Sequence, residues 1–466
     1  MIKEQKMLQK SKQWWEKPGF GIMYQIEARP GWLWNRNFDK FNASMTDDKG
    51  NLRFNGPFCK MKEWVEFSKK VGVDYHIFEA KWHDGICYFN TKYTNWKTPT
   101  DYCKIYSEES KKAKIPFMFY YSSVFDHSPQ FNDIQPLRSG LMSYIAKHSI
   151  SKSVIAIFSL AFTIGSWVLR YAPNRYVKRI PQQEKDAKYF DNLHLNKFVY
   201  NPRKYEKYML KQLIELIEVY KCDGLWMDWY QMHMEASSDI IMDFMEKKYP
   251  KIVLTFNNSI RWTLKWAHYL STEAHGIKKA WVKANKFRKT KKPWELISPA
   301  ANYWDNPMPR ADPLEDTRMA VVVMACGGKS AFGMPSLMNG ELYSGPSRHL
   351  DLLGKWYIPR RSLFTEAIPM KYRGKKVPSV KVNQKNFGTI GTVYNDDKLI
   401  HIINFSGRID ALTILLNQKK WGNVKKAILE PNGKEIPITT AKDGFLLSIP
   451  KEDVDKIDTI LRICEK

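Results

Sequence analysis

Cysteine is sparse in this chain and acid is outnumbered by base. Six cysteines in 466 residues (Cys59, Cys87, Cys103, Cys222, Cys326 and Cys464) form no C-x-x-C pair and have no histidine at zinc-ligand spacing. A disulfide framework and a structural zinc site are therefore not expected, no metal or cofactor is called for, and the thiols suit a reducing, cytoplasmic location. The first residues carry charge but lead into no apolar core of roughly 7–15 residues, so a cleaved secretory signal is not expected either. No internal repeat is found. Acidic residues number 48 against 74 basic ones, a net charge of +26. Such a surplus points to an anionic partner, whether nucleic acid, a membrane surface or an acidic glycan, and does not choose among them.

What is present is apolar and aromatic. Apolar residues make up 44% and aromatics 14%, with 17 Trp, 24 Tyr and 24 Phe, which excludes a disordered or collagen-like chain. At roughly 150 residues per domain the length allows two or three domains, or one α/β barrel with an appendage. Short apolar runs alternate with amphipathic helical patterns through the first two-thirds. Strands are predicted near 19–24, 75–80, 117–122, 224–228 and 252–256. Between them, Met61, Trp64, Val65, Ser68 and Val71 line one helical stripe closed by Gly72. Met209, Leu213, Leu216, Ile217 and Tyr220 form another helix face after Asn201-Pro202. This alternation predicts a (β/α)-barrel over residues 1–375. From about Val377 short strands flank hairpin signals at Asn395-Asp-Asp397 and Pro431-Asn-Gly433, which predicts a small antiparallel β-sandwich over 376–466.

In a parallel barrel the reactive groups sit where strands end, so acids that directly follow apolar strands are the first candidates. Asp228 ends Gly-Leu-Trp-Met-Asp and precedes Trp229-Tyr230, an aromatic wall suited to a sugar ring. Glu273 ends another run, and His83-Asp84-Gly85 follows the strand at Tyr75. A lone strand-end acid often only caps the next helix, whereas two on neighbouring strands among aromatics match the acid and nucleophile of glycoside cleavage. Asn257-Asn-Ser259 matches a glycosylation sequon and carries little weight.

Phe20-Gly-Ile-Met-Tyr-Gln25, Lys81-Trp-His-Asp-Gly-Ile-Cys-Tyr-Phe89, Tyr120-Tyr121-Ser122 and Leu225-Trp-Met-Asp228 resemble, in order and spacing, motifs of the family 29 glycoside hydrolases, the retaining α-L-fucosidases. The resemblance implies Asp228 as nucleophile. It implies Glu273, twelve residues after Arg261 in an Arg-Trp segment, as acid/base, with a second Trp-Glu pair at Trp294-Glu295. It further implies hydrolysis of a terminal α-L-fucosyl or related residue by double displacement; the expected substrate contacts are Gln25, Glu79, Trp82, His83, Tyr121, Trp229, Arg261 and Trp304. A raised Glu273 pKa is expected, from desolvation by Trp262 or Trp266. Family members commonly carry histidine where this chain has Gln25 and Trp82, so a changed sugar contact is expected, with Glu79 and Glu27 as replacement polar groups. The reading from another class is a catalytically silent barrel that binds glycan or membrane.

The 78 residues from 123 to 200 far exceed an ordinary βα connection. Within this insertion (132–197), residues 153–169 carry no charge; as a helix they would be about 25 Å long, short of the roughly 30 Å hydrocarbon thickness. Lys152, Trp167 and Arg170 bracket or end the run, a composition suited to a membrane-surface anchor. Residues 278–293 hold eight Lys/Arg and no acid, among them Lys278, Lys279 and Arg288, and are expected as a basic loop on the catalytic face. The expected partners are a glycan or glycolipid and an anionic membrane surface, peripheral on its inner face. No nucleic-acid motif accompanies the charge, and the oligomeric state stays open.

Overall fold

The structure, a computed structural model, describes residues 13–26, 47–49, 51–54, 56–123, 126, 128, 204–228, 230, 236–259, 263–304, 307–370, 380–442 and 444–465. Eight strands form one parallel sheet: β1 (Gly19–Gln25), β2 (Tyr75–Lys81), β3 (Phe117–Ser122), β4 (Gly224–Asp228), β5 (Val253–Phe256), β6 (Leu270–Glu273), β7 (Trp294–Pro299) and β8 (Lys329–Pro335). Their order, β5-β4-β3-β2-β1-β8-β7-β6, brings the two sheet edges β5 and β6 together as a nearly closed barrel. The seam is laced without a regular ladder. The His268 N–H donates to Leu254 O (2.8 Å), the Leu254 N–H to His268 Nδ1 (3.0 Å), and Thr255 Oγ1 to Tyr269 O (2.9 Å).

Strand alternation sorts each side chain to one of two cores. Met23, Ile77, Met118, Tyr120, Trp226, Val253, Ile297 and Ala331 fill the barrel interior. Their neighbours Ile22, Phe78, Phe119, Leu225, Leu254, Leu296 and Phe332 point outward beneath the helices. Those helices are α1 (Met61–Val71), α2 (Tyr102–Ala113), α3 (Lys204–Glu218), α4 (Ala236–Lys248), α5 (Ile277–Phe287), α6 (Glu315–Ala325) and α7 (Ser344–Tyr357). The stripe read on α1 is buried, and Gly72 closes it at φ 72°, a left-handed cap that costs glycine nothing. At the strands' amino ends Trp14 packs on Tyr75, with ring centroids 5.6 Å apart, so the barrel is floored by aromatic surface.

The remaining strands are antiparallel and form two sheets around a second apolar core, as expected of a sandwich. Strands β9 (Phe387–Tyr394) and β10 (Asp397–Asn404) meet at Asn395-Asp396, both at positive φ, the two-residue turn that suits strand twist. On β10, Ile400 and Ile402 face the sandwich core while Leu399 and Ile403 join the barrel's outer core, so one strand belongs to both. The stretch after the Pro431-Asn-Gly433 turn is broken at Pro437. The segments Lys434–Ile436 and Ile438–Ala441 lie in different sheets, because proline offers no N–H to continue a ladder. The expected domain boundary near 375, and the insertion 132–197 with its apolar run 153–169, lie outside the described residues. Among the described residues no helix is long and apolar enough to cross a membrane, and no group of side chains is arranged to hold a metal.

Candidate active site

Asp228 is the last residue of β4 and Glu273 the last of β6, so both carboxylates stand at the carboxyl rim of the barrel. Between them lies Asn257, the residue after β5. Its amide nitrogen donates to Asp228 Oδ1 at 2.9 Å and to Glu273 Oε1 at 3.1 Å. Because an amide NH2 carries two N–H bonds spread by ~120°, these distances put the two carboxylate oxygens about 5 Å apart. The opposite amide orientation would aim a carbonyl at two carboxylates. Asn257 Oδ1 is buried and has no hydrogen-bond partner among the described residues, so the two acids themselves set the orientation. The backbone N–H of Asn257 is anchored on Met227 O (3.0 Å).

Asp228 is buried, and its other oxygen, Oδ2, accepts the Tyr120 O–H at 2.5 Å. Burial first, and then the Asp228 charge, push the Tyr120 phenol well above its ordinary range, so it remains a donor. Tyr120 stacks on Trp226 inside the barrel (5.4 Å, 20°). His83 Nε2 lies 3.6 Å from Asp228 Oδ2, and its Nδ1 pairs with Ser122 Oγ at 2.6 Å.

Glu273 is surrounded differently from what desolvation by tryptophan predicts. Trp304 Nε1 donates to Oε2 at 3.0 Å and His275 Nε2 lies 3.1 Å from the same oxygen, while Asn257 holds Oε1. Burial pushes the Glu273 carboxyl up, but His275, Trp304 and Asn257 together outweigh it and hold the group below its usual value. The expected raised pKa is thus corrected. Trp266 gives its indole N–H to Asp243 instead, and Trp262 lies outside the described residues.

Other predicted contacts divide. Gln25 ends β1, and its Oε1 lies with the Trp304 ring against Gly333, where a Cβ would meet the indole at 2.3 Å and Gln25 Oε1 at 2.8 Å. Glu79 points into the barrel and accepts the Ile26 N–H at 2.9 Å; burial, and then Asp84 and Asp228, push it well above the carboxylate range. The ladder between β2 and β3 shifts at Glu79/Lys81, which sends Lys81 outward to a buried ion pair with Asp126 (3.0 Å) and leaves Trp82 at the barrel mouth beside His83. Tyr121 is a correction. The alternation that turns Tyr120 inward turns Tyr121 out into the helical layer, where its O–H donates to Gln212 (2.6 Å). Trp229, Arg261, Lys152, Trp167, Arg170 and Glu27 lie outside the described residues.

The basic stretch is a further correction. It is mostly the helix α5, which leads from Glu273 back to the start of β7 and therefore runs antiparallel to the strands. Lys278 and Lys279 are exposed in its first turn near the rim, while half-buried Arg288 ends it some 15 Å away, at the barrel's other end. Asn257, Tyr120 and His275 were not singled out as site residues from the sequence; Asn257 entered only through the sequon match and Tyr120 only within the Tyr120-Tyr121-Ser122 motif.

A profile of the Alpha-L-fucosidase family matches residues 3–358. Solved structures with this fold include an α-fucosidase from Thermotoga maritima, 17% identical over 97% of this chain and 96% of that one (TM-score 0.62). Another is α-L-fucosidase isoenzyme 1 from Paenibacillus thiaminolyticus, 18% identical over the whole of both chains (TM-score 0.64). A third is an α-L-fucosidase from Bacteroides thetaiotaomicron, 15% identical over 96% and 93% (TM-score 0.62). No curated protein sequence matches. With the profile spanning the whole barrel and both acids at its rim, the chain belongs to the α-L-fucosidases of glycoside hydrolase family 29.

Proposed function

We propose that this glycoside hydrolase is a retaining exo-enzyme that removes a terminal α-L-fucosyl or related sugar by double displacement. Asp228 attacks the anomeric carbon while Glu273 protonates the departing oxygen; Glu273 then takes a proton from water, whose oxygen displaces Asp228. The observation that carries the reading is the Asn257 bridge. Its two bonds imply a carboxylate spacing of about 5 Å, in the range of retention and too close for the water that inversion needs. The Bacteroides relative was trapped as a covalent intermediate with 2-fluoro-fucosyl fluoride, the species this mechanism requires. A silent barrel would have no need to hold two acids on one amide. The sugar pocket is that of a divergent member, with Gln25, Glu79, Trp82, His83 and Trp304 around the ring.

Asp228→Gly should abolish hydrolysis of aryl α-L-fucosides and recover turnover in azide as a glycosyl azide. Wild-type activity in that variant would sink the nucleophile assignment. We further propose contact with an anionic membrane surface, supported by the composition of 152–170 and by exposed Lys278 and Lys279 near the rim. Equal flotation with vesicles, with and without residues 153–169, would remove that claim.

A further inference from the structure

His275 belongs to none of the roles above, yet it touches the residue assigned as acid/base. It lies two residues past Glu273, in the short link to α5, with its ring stacked on Tyr303 (5.0 Å, 24°) and edge-on to Trp304 (6.2 Å, 87°). Its Nε2 is 3.1 Å from Glu273 Oε2. Its Nδ1 is buried and has no hydrogen-bond partner among the described residues. A buried N–H without an acceptor costs more than a bare nitrogen lone pair, so the ring proton belongs on Nε2, facing the glutamate.

We propose that His275 is a positioning residue of the acid/base centre: with its proton on Nε2 it donates to Glu273 Oε2 and, together with Trp304 and Asn257, holds that carboxylate in its ionised form. This rests on the reading of Glu273 as acid/base and adds how the residue is biased. Double displacement uses the glutamate twice, protonated to expel the aglycone and ionised to activate water. Three donors converging on two oxygens favour the second state. The chain is therefore built for rapid release of the glycosyl-enzyme, and cleavage of poor leaving groups is confined to acid pH.

Among the described residues the other charged and titratable groups around the pair include Tyr303 stacked on His275, Asp228 across Asn257, His83 beside Asp228, and Tyr120 on β3. Lys283 on α5 donates to the Glu273 main-chain oxygen, and Glu315 at the start of α6 accepts the Ile277 N–H at 3.2 Å. None is altered in the variants below, so the shift reports His275 alone.

The test compares His275→Phe, which keeps the stack but not the donor, with His275→Gln, which keeps an N–H. The Glu273 carboxyl is titrated by ¹³C NMR in the intact protein and identified by its loss in Glu273→Gln. In wild type it should titrate below the ordinary value, rise by about one pH unit in His275→Phe, and stay within about half a unit of wild type in His275→Gln. The basic limb of kcat/KM for phenyl α-L-fucoside should move up by the same amount in His275→Phe, whereas kcat/KM for α-L-fucosyl fluoride, whose leaving group takes no proton from Glu273, should show no such shift of a basic limb. A purely structural role would lower rates at every pH without moving the limb. An unchanged or lowered Glu273 midpoint in His275→Phe overturns the proposal. The NMR midpoint needs no turnover and so is separate from the reading of Glu273, which would instead fail if Glu273→Gln cleaved phenyl α-L-fucoside at the wild-type rate.

Discussion

Removing the amide between the two acids is the most searching perturbation of this site. Asn257→Leu keeps nearly the same volume, so water has little room to take the place of the lost donor. Each bond from Asn257 runs to a carboxylate, and such bonds contribute about 1.5–3 kcal/mol. Without them two acids about 5 Å apart face each other directly, and at an effective dielectric near 20 their repulsion is about 3 kcal/mol. That amounts to roughly two pH units, more than enough for the two groups to titrate as a coupled pair. One of them should keep its proton to higher pH, and an Asp228 that holds a proton cannot attack. The expected result is a loss of about 10²-fold in kcat/KM on 4-nitrophenyl α-L-fucoside at the wild-type optimum, with a changed pH–rate profile and an unchanged circular dichroism spectrum. Activity within threefold of wild type, with the same pH profile, would refute the idea that Asn257 couples the acids.

Three further outcomes follow from neighbouring residues. Tyr120→Phe should lower kcat by about tenfold or more through loss of the donor to Asp228, whereas Tyr121→Phe should leave kcat unchanged, because that hydroxyl serves Gln212 outside the barrel; steady-state kinetics on both variants decides between the two tyrosines. Gly333→Ala should push Trp304 off its seat and weaken its bond to Glu273, seen as lower kcat/KM with an altered tryptophan fluorescence spectrum. The buried Glu295 carboxyl accepts from Tyr75 (2.5 Å), Ser271 (2.7 Å) and Trp226 (3.1 Å), and burial pushes its pKa up. The folded protein then holds a proton that the unfolded chain has released, so stability falls as pH rises from the unfolded value through the folded one. Glu295→Gln, whose oxygen can accept from Trp226 and Ser271 while its amide donates to Tyr75, should flatten that decline in Tm between acid and neutral pH.

Much of the barrel was legible because its signals are local. A strand buried on both faces reads as a continuous apolar run, as in Phe117-Met-Phe-Tyr-Tyr, and an outer helix reads as a stripe, as in α1. The sandwich hairpin at Asn395-Asp396 was legible for the same reason. What failed was phase and direction. Adjacent Tyr120 and Tyr121 are indistinguishable until the sheet decides which faces the axis, and the charged run at 278–293 does not disclose that it folds into a helix leading away from the rim. The irregularity after Glu79, which turns Lys81 outward and Trp82 toward the mouth, leaves no mark in the sequence.

The sequence by itself determined that a parallel barrel precedes a small sandwich, and that Asp228 and Glu273 end strands, because period and strand-end position are properties of a few consecutive residues. Only the tertiary structure decided how those acids are held. The contacts of Asn257 with both carboxylates, and of His275 and Trp304 with one oxygen of Glu273, join β4, β5, β6 and the turn after β7 across the barrel mouth. The protonation state of a carboxyl depends on the donors that reach it in space, and here those donors come from separate strand ends that only closure of the sheet brings together.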